Sequence, residues 1–151
     1  MITKKLKYFL FAILMLIGIS DVSATTNDNI VDFSKKGSIN ITLSEVEDDL
    51  KVSGANITIY KVADAISKDS NLNFVYCDGL EEYESNFNDG IITDEMLKII
   101  NEKELVNFNK TTNELGIVEF KNLNLGLYLV IQKNQVEGFS SIDPFLVYIP
   151  K

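Results

Sequence analysis

At 151 residues and 17.0 kDa the chain is long enough for one domain and too short for two. It carries 14 basic residues, all Lys, against 22 acidic ones, for a formal net charge of −8 and a pI near 4.5, and it lacks Arg, His and Trp. So acidic a surface without Arg repels phosphate backbones and argues against nucleic-acid binding, the want of His closes off Ser–His triads and His-based metal sites, and a single Cys permits no internal disulfide.

The chain opens on a basic head, Lys4, Lys5 and Lys7, followed by an unbroken apolar run from Tyr8 to Ile19 and then Val22-Ser23-Ala24. Small residues at that spacing suit a signal peptidase, and the run is short for a membrane span. The expectation is a signal peptide over residues 1–24, cut between Ala24 and Thr25; the alternative is an uncleaved N-terminal anchor. Cleavage removes three Lys and one Asp and takes the charge from −8 to −10. An exported single domain with one Cys, rich in Lys, Asn and Ile, points to a low-GC bacterium. In that setting the sequons at Asn40, Asn56 and Asn109 are accidental.

Residues 25–36 are polar and read as a leader. From Gly37 the period becomes two, with Ile39, Ile41 and Leu43 alternating against polar residues, which predicts a half-buried strand. Glu45 to Lys51 is charged and reads as a solvent turn. A second strand follows Ser53-Gly54, with Ala55, Ile57 and Ile59 on one face and Thr58 and Tyr60 on the other, and Leu72, Phe74 and Tyr76 mark a third. Thr93 can cap a helix whose first turn holds Asp94 and Glu95 and whose stripe is Met96, Leu97, Ile99 and Ile100, with Lys103 near its end. Beyond Phe108 the chain returns to strand and turn. Asn113–Gly116 is a turn, Ile117–Phe120 a strand, Lys121–Leu125 a turn, Gly126–Gln132 a strand and Pro144–Ile149 the last strand. Short strands separated by turn signals predict a mainly β, immunoglobulin-like or prealbumin-like sandwich with one inserted helix.

The residues offer little for catalysis. Glu81, Glu82, Glu84 and Asp89 cluster, but without the D-x-D-x-D-G pattern of a Ca²⁺ loop, and a solvated acidic loop is the plainer reading. A paired-carboxylate glycoside hydrolase built on two of them is the enzymatic alternative. Gly116, Gly126 and Gly138 make no phosphate loop, and no serine elbow is present. Cys77 has no His to activate it and reads as a small half-buried apolar residue. No catalytic residue, cofactor, metal site or small-molecule substrate is expected.

Thr112, Gly116, Phe120, Leu123, Gly126, Tyr128, Val130 and Gly138 stand at telling intervals, and the run from Gly116 to Val130 resembles the Cna-B-type, prealbumin-like domains of Gram-positive surface proteins. It looks most like the first domain of their sortase-assembled pilins. Gly37–Ile41, Gly54–Asp64, Gly138-Phe139-Ser140 and Pro144–Val147 support the same likeness, which spans residues 37–151. The resemblance implies a structural or adhesive protein of the cell wall or cell surface, with other pilin-like subunits, a host or matrix ligand, and sortase as partners. Many such domains carry an internal Lys–Asn amide bond. Here the position matching that Lys is Leu43, the Glu position is Asn56, and no Asn occurs in Pro144–Lys151, so no such cross-link is expected. Tyr148-Ile149-Pro150-Lys151 approximates the Tyr-Pro-Lys motif of pilin backbones with one extra Ile, which makes Lys151 a candidate sortase acceptor. The chain reads either as a piece of a longer anchored protein or as a small secreted module that binds its ligand through the acidic insertion Asp78–Glu104.

Overall fold

The computed structural model describes residues 10–14, 31–46, 48–69 and 71–150. Eight strands form two antiparallel sheets. In chain order the elements are β1 (Leu10–Leu14), β2 (Gly37–Glu45), β3 (Asn56–Lys68), β4 (Asn71–Tyr76), a 3-10 turn (Glu81–Tyr83), α1 (Glu84–Asn88), α2 (Asp94–Glu102), β5 (Asn107–Thr111), β6 (Ile117–Leu123), β7 (Gly126–Gln132) and β8 (Phe145–Ile149). The smaller sheet runs β1-β2-β6. The larger runs β4-β3-β7-β8, with β5 pairing the first half of β3 and β4 its second half. The architecture is thus the mainly β sandwich that the alternation in Gly37–Leu43 and Ala55–Ile59 predicts.

Alternation decides which side chains meet. Ile39, Ile41 and Leu43 of β2 and Val118, Phe120 and Leu123 of β6 face Ile57 and Ile59 of β3, Tyr128 and Val130 of β7, and Val147 and Ile149 of β8. This core between the sheets also takes in Val31, which ties the end of the polar leader to the domain. Thr112 is buried at its margin, where its hydroxyl donates to the Val52 carbonyl (2.6 Å) and accepts from the Ala55 N–H (3.0 Å), fixing the turn into β3.

The larger sheet has a second buried face. Val62, Ala63, Tyr76, Leu127 and Leu129 pack against Leu80, Phe87, Met96 and Ile100 of the helical segment. The register of β3 against β7 slips between Lys61 and Ala63, a bulge that lets Val62 and Ala63 both serve this outer core. The molecule therefore has three layers, with the larger sheet in the middle.

Several boundaries differ from those read in the sequence. The insertion holds two helices and a 3-10 turn instead of one helix, because Leu80 and Phe87 dock the acidic stretch onto the sheet. β6 continues to Leu123, shortening the expected Lys121–Leu125 turn, with Asn122 at positive φ near its end. Glu45 belongs to β2 and is buried, and Ser44 bridges Lys51, so the expected solvent turn is narrower. Leu10–Leu14, inside the apolar N-terminal run, is an edge strand on β2. The Ala24–Thr25 cleavage site and Lys151 lie outside the described residues.

Candidate functional site

The helical insertion is the most distinctive surface. Thr93 caps α2 as its spacing predicts, its hydroxyl accepting the Met96 N–H at 3.3 Å, and Asp94 and Glu95 stand at the positive end of the helix dipole. Met96 and Ile100 of the predicted stripe are fully buried and Leu97 and Ile99 partly so, all within the outer core. α1 shows one apolar residue to the sheet, Phe87, whose ring stacks on Tyr76 with centroids 5.2 Å apart and planes 10° apart. Asp78 and Lys103, at the two ends of the insertion, pair at 2.7 Å. The Lys103 ammonium holds the Asp78 carboxyl below the usual carboxylate range, and Asp78 raises Lys103 in turn.

With its apolar side against the sheet, the insertion turns its carboxylates outward. Glu81, Glu82, Glu84 and Asp89 are all exposed. Glu81 accepts the Gly79 N–H at 2.7 Å, which spends part of its bonding capacity on the local turn. Among the described residues no group of three or more His, Cys, Asp or Glu side chains is placed to hold a metal ion. Residues 78–104 contain nine carboxylates and two lysines, a net −7 against −8 for the whole chain. Most of the net negative charge therefore lies in this segment.

A second set of titratable groups gathers where β3, β4 and β7 meet. Lys61 is 9% exposed and its ammonium pairs with Asp64, which shares its face across the bulge. The stem of Lys61 lies against Gly126, where a Cβ would strike both it and the Ala63 carbonyl. The neighbours that require a glycine here are a lysine stem and a backbone carbonyl. The Cys77 thiol donates to the Lys61 carbonyl at 3.4 Å, and burial, with Asp64 adding to it, pushes its pKa up. That keeps it a thiol and leaves little nucleophile. Tyr128 donates its hydroxyl to the Asn124 carbonyl at 2.7 Å, and burial, reinforced by Asp64, pushes its pKa up to about 12.

The positions that bear on an internal amide bond are also described. Leu43 is wholly buried on β2. Asn56 opens β3 in an amide network: its N–H goes to the Asn134 side chain (2.7 Å), and its own side chain accepts from Asn109. Lys61 is the one lysine buried among the described residues, and its partner is Asp64. No helix among the described residues is long and apolar enough to cross a membrane.

No family model matches the chain, and no curated protein does. Among solved structures, the complex of the Corynebacterium diphtheriae SpaA pilin with a signal peptide is similar to it at 22% identity. The match covers 96% of this chain and 85% of that one, with a TM-score of 0.43.

Proposed function

We propose that this chain is a non-catalytic structural domain of a bacterial cell-surface assembly, equivalent to the N-terminal domain of a pilin-like subunit and without an internal amide cross-link. The observation that carries the reading is where the pilin-like sequence blocks fall in the fold. Gly37–Ile41 opens β2, Gly54–Asp64 forms the turn and most of β3, Gly116–Val130 forms β6 and most of β7, and Pro144–Val147 leads into β8. Each block contributes to the core between the sheets, through Ile39, Ile57, Phe120, Tyr128 and Val147 among others. The residues that carry the resemblance are thus ones that shape the sandwich. In this reading the signal peptide 1–24 directs export, other pilin-like subunits are the partners, and Lys151 is the residue offered to sortase.

Fractionation of the producing bacterium tests it. Wall-linked material of high mass that shifts when Lys151 is replaced supports a polymerised subunit. Soluble monomer in the medium opposes it and favours a second reading, a secreted module that binds its ligand through residues 78–104, on which the −7 charge is concentrated.

A further inference from the structure

The two edges of β2 are filled by different parts of the chain. On one side Leu43 donates its N–H to the Gly116 carbonyl (2.9 Å) and receives the Val52 N–H on its own carbonyl (3.0 Å). Antiparallel alternation turns the N–H and C=O groups of Thr42 and Ser44 the opposite way. There the partner is β1, in the register Leu10↔Glu45, Ile13↔Thr42 and Leu14↔Ile41. β1 is the outermost strand of its sheet. Its sequence, Leu-Phe-Ala-Ile-Leu, belongs to the apolar run that reads as a removable signal.

Removing β1 leaves the smaller sheet, among the described strands, as β2 and β6 alone. β2 would then present a row of open backbone groups along this edge. Gly37–Glu45 contains neither Pro nor Lys; its one irregularity lies between Gly37 and Ile39, outside the Ile41–Glu45 stretch that pairs β1, and its one charge, the inward Glu45, stands at the very end of the strand. Its inward residues Ile39, Ile41 and Leu43 are at most 1% exposed, so the strand is pinned by the core and its register cannot slip. A fixed edge without Pro or Lys along Ile41–Glu45 is suited to accept a strand.

We propose that the outer edge of β2 is a strand-acceptor site, closed in the full chain by its own Leu10–Leu14 and, once residues 1–24 are removed, filled by an extended, uncharged apolar segment of a partner protein running antiparallel to β2. The chemistry of the occupant is read from the segment seated there: five consecutive residues without charge, paired one to one with Ile41–Glu45. Main-chain hydrogen bonds supply the attraction and alternate side chains the selectivity. The proposal stands on strand pairing and on removal of residues 1–24, and it does not depend on the likeness to pilins.

Amide hydrogen exchange on the full chain tests it. Thr42 and Ser44 should exchange about tenfold or more slowly than in an Ile13→Pro variant, whose proline removes the donor opposite Thr42. A synthetic peptide of residues 8–16, flanked by lysines for solubility, should restore slow exchange in that variant, and the same peptide carrying Ala12→Lys should not. Ile59 and Val130 report on the larger sheet and should be unchanged throughout. Equal exchange of Thr42 and Ser44 in both proteins, or no recovery with peptide while Ile59 and Val130 stay protected, overturns the proposal. Should Ile13→Pro also unfold the larger sheet, the pair Ile13→Cys and Thr42→Cys in a Cys77→Ser background decides. Residues directly opposite in a ladder are within reach of a disulfide. Its formation in the folded full chain supports β1 on this edge, and its failure to form overturns it.

Discussion

Tyr128 joins the core to the backbone that precedes it. Its ring is 1% exposed between the sheets, and its hydroxyl reaches back four residues to the Asn124 carbonyl. Tyr128→Phe keeps the ring and deletes the bond, which should cost ~1 kcal/mol in urea unfolding near pH 8. The same variant should change the alkaline limb. The folded-state pKa is raised from 10.0 to about 12, so the neutral phenol favours the fold fully below pH 10 and that contribution is lost as pH rises through 12. Stability of the parent should fall across that interval more steeply than stability of Tyr128→Phe. Gly116 is fixed by different physics: its φ is +71°, and a Cβ there would collide with the Leu43 carbonyl, the acceptor of the Val52 N–H. Gly116→Ala should cost about 2–4 kcal/mol by the same measurement, from the left-handed backbone together with the displaced carbonyl. Both residues are legible in the sequence, because a glycine before a strand and a tyrosine within one follow local rules. The Lys61 stem against Gly126 is not legible, since it depends on a bulge that places residues 61 and 64 on one face.

Among the elements, α2 and β7 could be read directly and α1 could not. Thr93, two acidic residues and an apolar stripe give α2 a start, a dipole partner and a buried side. α1 has five residues with Phe87 alone turned to the sheet, too short for any periodicity to register. The sequence nonetheless held a sign of the second core: Gly126–Gln132 is apolar at consecutive positions, as a strand covered on both faces must be. Ile100→Ala should remove about 2–5 kcal/mol, the cost of a cavity at a wholly buried position, and calorimetry should show whether the helical layer melts with the sheets. The Asp78–Lys103 pair adds a pH dependence of its own. Asp78 is lowered from 3.8 and Lys103 raised from 10.5, so the pair contributes between those values and is lost as pH falls through the lowered carboxyl or rises through the raised amine. Proteolysis within residues 78–104 should accelerate at both extremes in the parent and less so in Lys103→Met.

For the whole molecule, most of the strands along the chain follow from local pattern, but which strands pair does not, the partner of the apolar N-terminal run included. A continuous run carries no alternation that would announce a strand; with its basic head and Val22-Ser23-Ala24 it reads as a secretion signal, and the pairing of Leu10–Leu14 with Ile41–Glu45 appears only in the structure. The absence of a self-formed amide bond is an expectation at this scale as well, resting on Leu43, on Asn56 and on a last strand without Asn. Intact-mass measurement of the exported chain should match its sequence with no loss of one ammonia, about 17 Da, the leaving group of an amide-forming step.

Gly37, where β2 begins, lies against Ile149, where β8 ends: a Cβ on Gly37 would run into that isoleucine. The start of β2 and the end of β8 are therefore neighbours. A tug that parts these two points would peel β2 from β6, starting at Gly37–Leu123, and β8 from β7, starting at Gly126–Ile149, one rung at a time, as a zipper is opened, instead of straining many rungs together.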